Sequence, residues 1–121
     1  MISWQDLISC IEKLEELPNG GGAEIEFRYQ GAEYGIVSYC GSCEIGKCPD
    51  AIYNGNTLTY SEEQLYTYKT LTELGKARDI GFSVEECWES FEDIRTKPDF
   101  ENSTFEEIYA AYEKAYKGKE K

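Results

Sequence analysis

A chain of 121 residues, 40% hydrophobic and 14% aromatic, has material for one buried core and is too short for two. Twenty-four acids against twelve bases give a formal net charge of −12. This excludes direct nucleic-acid binding and docking on anionic lipid, because both need clustered lysine and arginine, and it points instead to basic protein partners.

No histidine is present, so serine, cysteine or metal chemistry that relies on imidazole is out of reach. The five cysteines are odd in number, no basic and apolar leader precedes the first helical pattern, and no apolar run approaches membrane-spanning length. These features predict a cytoplasmic chain with reduced thiols.

In chain order, Ser3 is placed to cap a first helix with Asp6 in the capping-box position, and Trp4, Leu7, Ile8, Ile11 and Leu14 form its buried stripe. Pro18, Asn19 and Gly20 to Gly22 stop it. "AEIEFRYQ" alternates, with Ile25, Phe27 and Tyr29 on one face, as a half-buried strand does. Gly31-Ala32 suits a two-residue turn, which would set Tyr29 opposite Tyr34 and Phe27 opposite Ile36.

Farther on, "NTLTY" and "QLYTYKT" read as a second hairpin turning at Ser61 to Glu63, with a helix from Ser61 as the competing reading of residues 61–69. Thr70 caps a short helix. Ser83 with Glu86 opens another over "SVEECWESFEDI", where Val84, Cys87, Trp88, Phe91 and Ile94 recur at helical spacing, and Lys97-Pro98 closes it. Ser103 with Glu106 begins a last helix whose apolar side is Phe105, Ile108, Tyr109, Tyr112 and Tyr116, and residues 117–121 are expected to fray. The pattern predicts a single α+β domain: an N-terminal helix, a three- to four-stranded antiparallel sheet made of two hairpins, and C-terminal helices.

Two features carry candidate chemistry. "YCGSCEIGKC" sets Cys40, Cys43 and Cys48 in a C-x2-C-x4-C run, the one spacing here with the look of zinc ligation. It is similar to the start of a zinc knuckle, with Cys48 where that motif has histidine and Tyr53 where its last cysteine would fall. Asp50, Cys10 or Cys87 would have to complete the set. The structural alternative is a loop of small buried thiols. No phosphate loop and no pair of carboxylates in divergent environments is visible, so an enzyme is not expected.

The second feature is acid. From Asp79 to Glu113, eleven acids face only Arg95 and Lys97, a regional balance of −9. If residues 85–93 are one helix, Glu85, Glu86, Glu89, Glu92 and Asp93 place about one charge per 2.7 Å of axis, against about one per 1.7 Å in duplex DNA. Glu106, Glu107 and Glu113 extend the face. A charge run is ordinarily just a solvated surface.

The order of a short helix, the hairpin "AEIEFRYQGAEYGIV" and then "YTYKTLTELGKARDIGFSVEECWESFEDI" resembles small acidic proteins carried by phages and mobile elements of bacteria, among them anti-CRISPR proteins of the DNA-mimic type. The resemblance covers most of residues 2–94. It implies an inhibitor in the cytoplasm of a bacterial host that occupies the nucleic-acid channel of a Cas effector or related defence protein. The competing expectations are a small immunity or adaptor protein that neutralises a basic toxin or regulator, and a zinc-stapled binding module built on the cysteine run.

Overall fold

The computed structural model describes residues 2–16, 22–39, 41–49, 51–60, 64–100 and 102–119, the side chains of 112 and 115–119 excepted. Helix α1 (Trp4–Glu15) starts where Ser3 accepts a hydrogen bond from the Asp6 amide at 3.1 Å. The expected stop at Pro18 to Gly21 lies outside the described residues.

Strands β1 (Ala23–Tyr29) and β2 (Ala32–Tyr39) pair antiparallel as expected, but in a register two residues away: Phe27 faces Tyr34 and Ile25 faces Ile36. The turn is Gln30-Gly31, with φ of 50° and 79°. Positive φ at both positions makes a type I′ turn, whose twist matches the strands it joins. A slip of two residues keeps every side chain on its face, so the apolar alternation fits both registers.

The sheet has five strands, more than expected. β2 pairs with β3 (Ser42–Lys47), β3 with β6 (Gln64–Tyr68), and β1 with β7 (Glu92–Lys97), giving the order β6-β3-β2-β1-β7. Residues 64–68 are therefore strand; the competing helix start at 61–63 lies outside the described residues. "NTLTY" does not pair with "QLYTY". Its strand β5 (Thr57–Tyr60) pairs with β4 (Ala51–Asn54) about a Gly55-Asn56 turn in which Gly55 has φ of 66°.

The pairs Lys47↔Gln64 and Ala51↔Tyr60 lie on one register with three residues between them on each side. Between β3 and β6 in the chain, β4 and β5 thus form a separate two-stranded arm.

Thr70 caps α2 (Leu71–Lys76), and Ser83 caps α3 (Val84–Cys87). The helix expected over residues 83–94 ends after that single turn. A 3₁₀ turn follows at Trp88–Ser90, and Glu92 to Lys97 form β7. Two local costs and one distant gain explain the switch. Helix nucleation is unfavourable, and Glu85, Glu86 and Glu89 repel at helical spacing. The free edge of β1 meanwhile offers 92–97 a ladder, interrupted once between Glu26 and Arg28. The cross-strand charges match: Lys97 faces Glu24 and Arg95 faces Glu26.

The last helix, α4 (Phe105–Lys119), is capped by Thr104 and not by Ser103. The Thr104 Oγ1 accepts from the Glu107 amide at 3.2 Å. Its backbone stays helical through Lys119, past the point where fraying is expected; residues 120 and 121 lie outside the described set.

α1 covers one face of the sheet. Leu7, Ile8, Ile11 and Leu14 share a core with Ile25, Phe27, Ile36 and Ile45, and Trp88 and Phe91 fill one end of it. Phe91 stacks on Phe27 with centroids 4.0 Å apart, and Trp88 lies against Trp4 at 5.2 Å while its indole N–H donates to the Ile2 carbonyl at 2.9 Å. The other face of the sheet is open, bearing Glu24, Glu26, Arg28, Val37, Tyr39, Leu65 and Arg95 in exposed positions.

Candidate functional site

The change from helix to strand inside residues 83–94 divides the acids that the sequence placed on one face. Asp93 and Glu92 leave for the open side of the sheet. The Asp93 carboxylate meets the Arg28 guanidinium at 3.0 Å, and Glu92 lies opposite Arg28 in the ladder. Arg28 also holds Glu33 at 2.8 Å, and Glu33 reaches on to Arg95 at 3.3 Å, which in turn pairs with Glu26 at 3.3 Å. This chain of five charges lines a shallow concavity of about 620 Å³ together with Tyr34, Gly35, Cys48 and Ile94. All five side chains are a third to three-fifths exposed, so the network is worth little in stability. It does pair both arginines with carboxylates.

Glu85, Glu86 and Glu89 stay on the other side of the molecule, where they line a concavity of about 280 Å³ with Ser3, Gln5 and Trp88 at the N-terminal end of α1. The Gln5 amide donates to Glu85 at 3.0 Å, and Glu86 pairs with Arg78. From α4, Glu106 acts on α1 at Cys10: burial pushes the Cys10 thiol up, Lys13 opposes the rise, and the charges of Asp6 and Glu106 add to it. At the far end of α1, Glu12 and Glu15 border a concavity of about 210 Å³ with Lys69. Asp6, Glu12 and Glu16 on the exposed side of α1 fill the interval.

The acids thus form a face around α1, built from segments far apart in sequence and not from one helix. Of the cations beside it, Arg78 is paired and the Lys13 ammonium lies 5.3 Å from the centre of the Phe105 ring.

Two other predicted residues do local work. Glu107 accepts a hydrogen bond from the Thr104 hydroxyl at 3.2 Å within the α4 cap, and Glu113 is half-buried. Tyr109 packs its ring on Phe105 and the core, while the side chains of Tyr112 and Tyr116 lie outside the described residues.

Of the cysteine run, the two described members, Cys43 and Cys48, are not gathered at one point. Cys43 is the second residue of β3, buried, with its thiol donating to the Tyr68 carbonyl at 3.5 Å. Cys48 lies just past the end of the same strand, exposed. Five residues of strand separate them by about 16 Å, several times the reach of two ligands to one ion. Cys40 and Asp50 lie outside the described residues. Cys10 is a half-buried residue of α1, and Cys87 accepts a hydrogen bond from the Tyr29 hydroxyl at 3.6 Å. Among the described residues no three cysteine or carboxylate groups are gathered to hold a metal. No helix among them is long and apolar enough to cross a membrane.

Two features escaped the sequence reading, and both had a signal. The open-face ion network was foreshadowed by Glu24, Glu26 and Arg28 set against Lys97, Arg95 and Glu92, which are complementary once written antiparallel. The arm was marked by Asn54-Gly55-Asn56 between two β-prone runs, a strong hairpin signal.

No family model, curated protein or solved structure matches the chain.

Proposed function

We propose that the protein is a non-enzymatic binding protein whose acidic α1 side docks on a cation-rich surface of a nucleic-acid-handling protein, a Cas effector or related defence protein being the sharpest case. The observation that carries it is the convergence of Asp6, Glu12, Glu85, Glu89 and Glu106 from three separate segments around one exposed helix. Fixed negative charge on a rigid scaffold offers arginine and lysine the same charge-assisted bonds that phosphates offer, with little ordering needed on binding. The resemblance to phage-borne acidic inhibitors supports the same partner class. Glu92 and Asp93 have no place in this face, because they answer to Arg28 on the far side.

The test is capture from a bacterial lysate at low and high salt, with mass spectrometry of what is held. A nucleic-acid-binding protein captured at low salt and released at high salt is the expected result. Changing Glu85, Glu89 and Glu106 together to Gln should weaken the purified pair about tenfold, at roughly half a kcal/mol per exposed charge. Changing Glu92 and Asp93 should do nothing comparable. Capture indifferent to salt and to the triple change would sink the proposal, and capture of a basic toxin would replace inhibition of defence with immunity.

A further inference from the structure

The β4–β5 arm takes no part in the acidic face. Its ten residues, "AIYNGNTLTY", carry no charge in a chain of which 30% of residues are charged, and all ten are exposed. The pairing Ala51↔Tyr60 and Tyr53↔Leu58 puts Tyr53, Leu58 and Tyr60 on one face of the ribbon. A two-stranded ribbon alone in water is marginal, and strand edges left uncovered are normally guarded by lysine or proline, neither of which occurs between 51 and 60.

On the open side of the sheet lies a groove of about 300 Å³ whose floor is the cross-strand pair Gly35↔Gly46, lined by Val37, Pro49 and Leu65 and also by Glu44 and Lys47. A Cβ at Gly35 would meet nothing nearer than 4.0 Å, so the glycine leaves that floor open.

We propose that two copies of the chain associate about a two-fold axis, each laying its β4–β5 arm in the Gly35–Gly46 groove of the other. Three observations select a second copy as the occupant. The first is charge: two chains of net charge −12 repel except where charge is missing, and residues 51–60 are such a place. A charged partner would have to strip water from its own ions against an apolar face that offers no counter-charge.

The second is complementarity. The same chain holds both the uncharged arm face and the largely apolar groove, the self-complementary pair that a two-fold contact requires. The third is area. Taking about 200 Å² for a side chain of this size, the exposed fractions of Val37, Tyr53, Leu58, Tyr60 and Leu65 come to on the order of 550 Å² per chain. That is most of the roughly 800 Å² per partner of a standard interface. The dimer does not depend on what the acidic face binds.

Light scattering on a sizing column, run over a dilution series of the whole chain, should show twice the 13.8 kDa chain mass, falling toward one on dilution. Leu58→Lys on the arm and Val37→Lys in the groove should each give a monomer with an unchanged far-UV spectrum, because both sites are solvent-facing. Tyr53→Ser and Leu65→Lys serve as second variants should either fail to fold. Mixing an arm variant with a groove variant should restore a mixed dimer at higher concentration, since one native arm-and-groove contact survives. A wild-type chain monomeric at sub-millimolar concentration overturns the proposal, even if it captures another protein through the arm. So does a dimer that ignores Leu58→Lys, or a mixture that stays monomeric.

Discussion

Cys43 and Tyr68 stand opposite each other on β3 and β6, and both resist losing a proton. Burial pushes the Cys43 thiol from 9.0 to about 11, with the charges of Glu15 and Glu73 adding to the rise. Desolvation, then the hydrogen bond donated to Asp79, lifts the Tyr68 phenol from 10.0 to about 12. Each group holds its proton more tightly folded than unfolded, so each contributes stability that is fully present below its unfolded value and is lost as the pH climbs through its folded one. The denaturation midpoint in urea should therefore hold steady to pH 9 and fall between about pH 9 and 12. Cys43→Ala should remove the early part of that fall. A midpoint flat to pH 11 would contradict the burial of this thiol. The same burial makes the Cys43 thiolate, the form that attacks disulfides or binds zinc, scarce near neutrality.

At the level of elements, the junction of α2 and α3 shows how tightly the helices close on the N-terminus. The Ser83 hydroxyl accepts from the Glu86 amide and donates to the Gly75 carbonyl at 2.7 Å, so one side chain caps α3 and pins α2. A Cβ on Gly75 would stand 2.5 Å from the Trp4 indole nitrogen. Alanine at that position gains up to about 1 kcal/mol of helix propensity but must displace a buried ring seated on Trp88. Gly75→Ala should accordingly destabilise the fold by about 1–3 kcal/mol in chemical denaturation, the usual cost of overpacking. α1 and the first hairpin were legible in the sequence because their caps, turns and periodicity are local. β7 was not: Val84, Trp88, Phe91 and Ile94 are buried as their spacing requires, yet that spacing fits a helix and a turn-plus-strand equally well. The free edge of β1, more than sixty residues earlier in the chain, decides between them. The acidic face was half legible for the same reason, since composition marks the acids but only tertiary packing brings Glu85 and Glu106 to α1 and sends Asp93 away.

For the molecule as a whole, a net charge of −12 sets the response to salt. Self-repulsion among the acids around α1 opposes compaction, whereas the Glu26–Arg95–Glu33–Arg28–Asp93 network favours it. The network is solvated and worth little, so screening should relieve more repulsion than it removes attraction. The melting temperature should rise between about 10 and 150 mM salt. A fall would mean that the open-face pairs outweigh the acids. The shared register of Lys47↔Gln64 and Ala51↔Tyr60 also makes the chain modular between β3 and β6. Splicing Lys47 to Gln64 through a short turn would excise everything beyond the sheet without shifting a single ladder bond of β3 and β6, and the Gly55-Asn56 tip, remote from the core, is a natural point at which to graft a foreign peptide.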